Sequence, residues 1–332
     1  MIGVVYLVGS RVGPLPVREF LASYRRHPPG VEHELVVLFN AVDNHQHQAL
    51  ESELRGIEHR RMVRTTSVPD LAAYAWAAER LQYERICFFN SYSVILAPQW
   101  LAKLDHALDQ PRAGLVGATG SWASHRSGVM SSLFLRNPHH GLLPKWIIQR
   151  GQLQEIQSEL DFERKGRGSW PGRELLTVPN RGLMLARSLV AAIKEAPTIA
   201  EIILRFESFP NPHLRTNAFM VDRATFNNLQ TGIVKRKMDA YLLESGRVSF
   251  TRQVLNSGLR TLVVASDGSF YDQDKWPLSN TFFQGDQEML LIADNQTRIY
   301  QNGGLDRRRL LSTRSWGSQA NPRLASGTGA SW

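Results

Sequence analysis

Short apolar runs alternate with amphipathic segments through the amino-terminal part of the chain, and few folds accommodate that alternation. Residues 2 to 8, Glu34–Phe39 and Ile86–Phe89 are apolar runs of strand length, as expected for strands buried on both faces. Arg61–Ser67 reads as a third, more exposed strand between them. A helix opened by Pro16 places Val17, Phe20, Leu21 and Tyr24 on one face, a second is expected near Gln46–Leu54, and a third over Asp70–Leu81 carries Leu71, Tyr74, Ala75 and Ala78. Strand and helix in strict alternation with short connections imply right-handed crossovers, hence an α/β fold with a mixed, mainly parallel sheet flanked by helices.

The run Ile86–Phe89 ends abruptly in Asn90-Ser91-Tyr92-Ser93, and Pro98 then opens the helix Trp100–Leu108. Open α/β sheets bind ligands where strands hand over to loops, so this junction is a candidate site; an ordinary polar turn fits the same residues. A further strand, Ala113–Ala118, follows. From about Ser124 to Ser208 the periodicity weakens, with helices expected at Gln149–Phe162 and Ser188–Phe206, which suggests an insertion or lid. Order returns with the polar loop Phe209–Asn217, an apolar strand up to Val221, a helix from Ala240 through Leu255 and a strand at Leu262–Val264. The expected organisation is a domain over 1–265 carrying the insertion 124–208, an extension at 266–316 and a Gly/Ser/Asn-rich disordered tail at 317–332.

Among 332 residues there is one cysteine, Cys87, so no intramolecular disulfide can form and a reducing, cytoplasmic setting is expected. The amino terminus reads as a strand and not as a secretory leader, and no run of ~18 apolar residues is present. The net charge of +9 favours an anionic partner. Zinc-finger, aromatic RNA-binding and helix-turn-helix patterns are missing, which disfavours a basic nucleic-acid-binding protein without removing it. Gly9-Ser10-Arg11-Val12-Gly13 lacks the dinucleotide spacing, and no phosphate loop of the Walker type occurs. Trp146, Ile147 and Ile148 between Lys145 and Arg150 could touch lipid as a peripheral contact or pack within the insertion. His125, His139 and His140 share no carboxylate or cysteine at ligand spacing and read as loop histidines.

Taken together, the order of elements resembles the GT-A glycosyltransferases, in particular glycosyltransferase family 2. Asn90-Ser91-Tyr92-Ser93 followed by Pro98-Gln99-Trp100-Leu101 stands where that family has an Asp-x-Asp motif, a proline and a helix beginning Trp-Leu. Arg215–Phe226 is similar to the strand and helix start before the family's catalytic segment. Glu244-Ser245, Arg252 and Gly258-Leu259-Arg260 resemble the acidic pair, helix arginine and closing glycine that follow. The likeness covers residues 1–123 and 209–265 in element order. It implies transfer of a sugar, with inversion, from a nucleoside-diphosphate sugar such as a UDP-sugar to a carbohydrate or lipid-linked acceptor, as in polysaccharide biosynthesis.

The resemblance has one large departure. The family's aspartates hold Mg²⁺ or Mn²⁺, whereas Asn90 and Tyr92 stand here and supply no anionic oxygen. Three possibilities stay open: a diphosphate held by cationic side chains, an ion weakly held by Asn90 and water, or a catalytically inactive relative that binds nucleotide sugars or glycans. Glu244 is the expected base for the acceptor hydroxyl, with Asp239 as the alternative; a first-turn helix acid is the structural explanation of Glu244. His213, Arg215, Arg247 and Arg252 are candidates for charge at the leaving group. Asn40 and Asp43 lie where the resemblance puts base recognition, Asp70 and Tyr74 follow the third strand, and Tyr92 is placed against the donor sugar.

Overall fold

The computed structural model describes residues 1–10, 12–42, 44–134 and 196–321, with the side chains of 44–48 and 132–134 left aside. Strand β1 (Ile2–Gly9), helix α1 (Pro14–Arg26), β2 (His33–Asn40), α2 (Asn44–Leu54), β3 (Arg60–Arg64), α3 (Asp70–Ala78) and β4 (Arg85–Phe89) follow in the order the alternation predicts. Short β5 (Val94–Ile95), α4 (Trp100–Leu108), β6 (Ala113–Gly117) and β7 (Gly120–Ser121) come next.

After the segment 125–208, the chain forms β8 (His213–Leu214) and β9 (Ala218–Asp222). The helices α7 (Arg223–Asn228), α8 (Lys237–Ser245) and α9 (Phe250–Asn256) lead to β10 (Arg260–Val264) and β11 (Phe270–Tyr271). A 3₁₀ turn at Gln273–Ser279, β12 (Ile292–Ala293), α10 (Asn295–Gln301) and α11 (Leu305–Trp316) follow in the carboxyl-terminal part.

The main sheet has eight strands in the order β11-β10-β6-β9-β4-β1-β2-β3. All neighbours are parallel except β9, which runs antiparallel between β4 and β6, and β11 at the edge. This is the mixed, mainly parallel α/β sheet flanked by helices that the sequence predicts. The strand period of two divides the core: Val4, Tyr6, Val8, Cys87, Phe89 and Met220 join one layer, and Val5, Leu7, Ile86, Phe88 and Phe219 the other. On the first face Phe20 of α1 stacks on Tyr6 with ring centroids 3.8 Å apart, and Trp100 of α4 meets Phe89 edge-on. Each such ring contributes on the order of 2 kcal/mol or more through burial.

Two sequence expectations change. The single helix expected from Ala240 through Leu255 is two, because Gly246 takes an extended conformation where a Cβ would lie 2.6 Å from the Leu242 carbonyl oxygen. Ser249 then caps α9 by accepting from Arg252 N. Ordered structure also runs past 316: Gly317–Gln319 form a 3₁₀ turn, and Gln284 binds Gln319 O and Asn321 N.

The chain divides into two compact units, 1–124 with 209–332, and 125–208. Within the second, α5 (His125–Phe134) and a helix α6 over 196–205 are described, and the His125 ring meets Phe206 edge-on at 5.0 Å. The expected helix at 149–162, His139, His140 and the Trp146 cluster lie outside the described residues. No described helix is long and apolar enough to cross a membrane.

Candidate active site

Because β9 runs antiparallel, the residues that enter it lie beside the carboxyl ends of β4 and β6. Asn90 N donates to Asn217 O at 2.9 Å, and Ala118 N donates to Ala218 O. Thr119 Oγ1 donates to Asn217 Oδ1 at 2.7 Å, and Arg215 N donates to Thr119 O. One step back, Thr216 N and Oγ1 both donate to Glu244 Oε1, at 3.0 and 3.2 Å. Asn90 and Glu244, drawn from opposite ends of the sequence, are therefore tied to adjacent residues at one sheet edge.

The Glu244 carboxylate stands in the last turn of α8, not in a first turn. There the helix dipole disfavours negative charge, so helix stability does not account for an acid at this position. Arg252, third residue of α9, is similarly a cation at a helix start. Its Nη2 donates to Asn211 Oδ1 at 3.2 Å, and Asn211 Nδ2 donates to Ser245 O. His213 is buried, with Nδ1 at 2.8 Å from Asn211 O. Burial lowers its pKa, with the charge of Glu244 opposing and those of Arg215 and Arg252 reinforcing the fall. Neutral His213 thus donates from Nδ1 and presents Nε2 as acceptor.

Arg215 is held by Asp294, the N-cap of α10, at 2.8 Å, and its guanidinium lies over the Phe282 ring. Arg298 of the same helix pairs with Glu19 at 2.7 Å and donates to Tyr92 O at 3.3 Å. One short helix of the carboxyl-terminal part thereby fastens both the Asn90–Ser93 turn and the Arg215 loop. Neither Asp294 nor Arg298 stands out as a site residue in the sequence; the capping pattern Asp294-x-x-Thr297 is the available signal.

Several sequence candidates have other occupations. Asp239 accepts from Arg236 N at 2.8 Å, from Lys235 N and from Arg236 Nη2. Burial works against its charge, but these bonds prevail and lower its pKa. It caps α8 at the end opposite Glu244. Asn40 spends its side chain on Val68, donating to Val68 O at 2.7 Å and accepting from Val68 N. Asp70 is exposed in the first turn of α3. Tyr74 is core, tilted against Phe88 and edge-on to Phe219, with a pKa driven up by burial and then by the charges of Asp70 and, more weakly, Glu244. Arg247 is exposed, and Asp43 lies outside the described residues.

The Asn90 turn does not suit a divalent cation. Asn90 Oδ1 already accepts from Tyr92 N at 3.0 Å and lies 2.9 Å from the Ser93 hydroxyl, which also reaches Asn217 O. Ser91 Oγ donates to Leu7 O and accepts from Gly9 N. These neutral oxygens hold the turn closed, and the nearby carboxylates of Glu244 and Asp294 are bound to Thr216 and Arg215. Among the described residues no group of His, Cys, Asp and Glu is arranged to hold a metal.

No protein-family model and no curated protein matches the sequence. Solved structures with partial likeness include the mannosyltransferase PcManGT from Pyrobaculum calidifontis in complex with GDP-Man and Mn²⁺, at 16% identity over 38% of this chain and 36% of that one, TM-score 0.31. S. aureus TarS 1-349 in complex with UDP-GlcNAc matches at 16% identity over 35% and 33%, TM-score 0.29. GalNAc-T7 with UDP, GalNAc and Mn²⁺ matches at 14% identity over 35% and 22%, TM-score 0.30. The chain spans well under two thirds of the length of each of these proteins.

Proposed function

We propose that the chain is a glycosyltransferase that moves a sugar from a nucleoside-diphosphate sugar to a carbohydrate or lipid-linked acceptor at the edge formed by Asn90, His213–Asn217 and Glu244. The observation that carries this reading is Glu244, an acid fixed by Thr216 in a helix turn that disfavours it, with its second oxygen making no hydrogen bond among the described residues. Glu244 takes the proton of the acceptor hydroxyl as that oxygen attacks the anomeric carbon, and the bond to the diphosphate breaks with its electrons. Inversion follows from a single displacement.

The departing diphosphate gathers negative charge, and donors must meet it. Arg252 Nε and Asn217 Nδ2 are buried beside Glu244 and His213 without partners and take this task. The donor sugar lies along Tyr92, and the nucleoside extends toward the carboxyl end of β2, with Asp70 as its candidate partner. With the Asn90 oxygen engaged in its own turn, no step is routed through a metal.

Thermal shift with UDP, GDP and their sugars, with and without Mn²⁺, tests binding, since a ligand of the folded state raises its apparent stability. Turnover by the wild type and its loss in Glu244→Gln support the proposal; equal turnover in both removes Glu244 as base. Nucleotide-sugar binding with no turnover by the wild type would favour the second reading, a non-catalytic binding relative, which the Asn90 and Tyr92 replacements motivate.

A further inference from the structure

Two exposed apolar side chains flank helix α8, one in the loop that enters it and one in the turn that leaves it. Ile233 is 80% exposed and Val248 52%. Single exposed apolar residues are ordinary on a protein surface, so only their arrangement is informative. Gln230, before α8, and Val248, after it, are brought together by Gln253 of α9. Its Nε2 donates to Gln230 O at 3.1 Å and to Val248 O at 2.7 Å, and its Oε1 accepts from Gln230 N at 2.6 Å. The segment 230–236 therefore runs back along α8, which at nine residues is about 13 Å long. Ile233, Lys235 and Arg236 on this segment and Arg247 and Val248 beside its start form one strip of exposed surface.

The strip is held in this state by the backbone. Gly232 has φ +58°, the left-handed region that favours glycine. Val234 is buried and joins the core layer of Phe226 and Phe250. Ile233 is kept in solvent between the two. The cations have no local reason either. Lys235, Arg236 and Lys237 crowd the amino-terminal end of α8, where the helix dipole disfavours positive charge. Asp239 offsets one of them, pairing with Arg236 at 2.9 Å. From Asn227 to Asn256 the chain has five Lys and Arg residues against two acids, Asp239 and Glu244.

A partner that uses the whole strip must offer negative charge and an apolar medium within a few ångströms of each other. A bilayer with acidic headgroups does so, taking the cations at its surface and the aliphatic tips just below. A nucleic acid would meet the cations only, since isoleucine has no aromatic face to stack on a base. We propose that the strip from Ile233 to Val248 docks the protein on an anionic lipid surface. It stands independently of the transfer reaction proposed above.

The test sediments the full chain with vesicles of phosphatidylcholine alone or with about 30% phosphatidylserine, at about 0.1 and about 0.5 M NaCl. Binding to the phosphatidylserine vesicles is expected at about 1 mM lipid, and at least about fivefold weaker binding at high salt or without phosphatidylserine. Ile233→Ser and Lys235→Gln should each weaken it about fivefold, with unchanged melting temperatures. Arg55→Gln removes the same charge beyond α2, whose Leu50 and Leu54 belong to the opposite core layer, and should change binding less than about twofold. Absent binding to phosphatidylserine vesicles, equal binding to phosphatidylcholine alone, wild-type binding by Ile233→Ser, a fall in Arg55→Gln equal to that in Lys235→Gln, or a lowered melting temperature in Ile233→Ser would each overturn the proposal. So would tighter binding of a DNA duplex than of vesicles, weakened by Lys235→Gln but not by Ile233→Ser.

Discussion

The edge around Thr216 and the region of Thr261 and Gln273 both keep polar atoms buried without partners, Asn217 Nδ2 and Arg252 Nε in the first, Thr261 Oγ1 and Gln273 Nε2 in the second, but their electrostatics differ. At the edge, Glu244, His213, Arg252 and the Arg215–Asp294 pair crowd together, and an acid and a cation each sit at the wrong end of a helix. Beside Thr261, Arg260 is engaged by both carboxylate oxygens of Asp272. Charge held against helix dipoles and burial costs stability, so its retention marks a place where a ligand's charge changes during the event. The comparison separates a charged edge from a neutral one on physical grounds.

The largest effect that could break this contrast concerns the charge network. In Asp294→Ala, Arg215, whose side chain is 12% exposed, loses a partner that is 1% exposed, and urea unfolding should show a loss of about 3 to 5 kcal/mol. A loss below about 1 kcal/mol, the worth of an exposed pair such as Arg80–Glu79, would mean that the edge is not electrostatically organised. Next comes Glu244→Gln. Glutamine Oε1 can still accept from Thr216, so stability should hold, while turnover falls about a hundredfold to a thousandfold. A comparable fall in stability would recast Glu244 as a structural acid.

Protonation of His213 sharpens the same contrast more gently. Its folded pKa lies below the ordinary 6.5 because burial disfavours the cation. Between those two values the unfolded chain binds a proton that the folded chain refuses, so stability is full above pH 6.5 and declines as the pH falls toward the folded value. The slope approaches about 1.4 kcal/mol per pH unit. Comparing wild type with His213→Asn cancels His27 and His33, whose pKa values burial also lowers. Parallel curves for the two proteins would show that His213 is not buried in its neutral form.

The strands were readable because sheets covered on both faces leave them little choice: Val4 to Val8 must be apolar at every position. Direction was not. Ala218–Asp222 has the same apolar pattern whether parallel or antiparallel, yet its reversal brings Asn217 to Asn90. Helix α11 is hard to read from sequence because Arg307–Arg309 has the pattern of a solvated charge run, whereas Arg308 is buried and donates to Tyr300 O and Gln301 O. At the site, polar residues beside apolar runs drew attention whatever their task, so Asn40 and Asp239, which tie a loop and cap a helix, looked like Glu244 and His213. Asp294 was invisible because its partner lies 79 residues away. Spacing reports local bonds, and this site is built from distant ones.

The smallest effect, in Tyr74→Phe, asks whether the two sets of unpartnered atoms are alike. The Tyr74 hydroxyl is fully buried, bonds nothing and lies within reach of the Glu244 charge. If it is as idle in the free protein as the hydroxyl of Thr261, its removal should leave the ring packing on Phe88 and Phe219 intact and raise stability by up to about 1 kcal/mol. Turnover decides the rest. A variant that is more stable but slower assigns the hydroxyl to the ligand, as an edge donor kept at the expense of the fold. A variant that is more stable and equally fast confines the ligand-directed donors to Arg252 and Asn217. A less stable variant would show that the hydroxyl is bonded after all, and the likeness between the two regions would then rest on Asn217 and Arg252 alone.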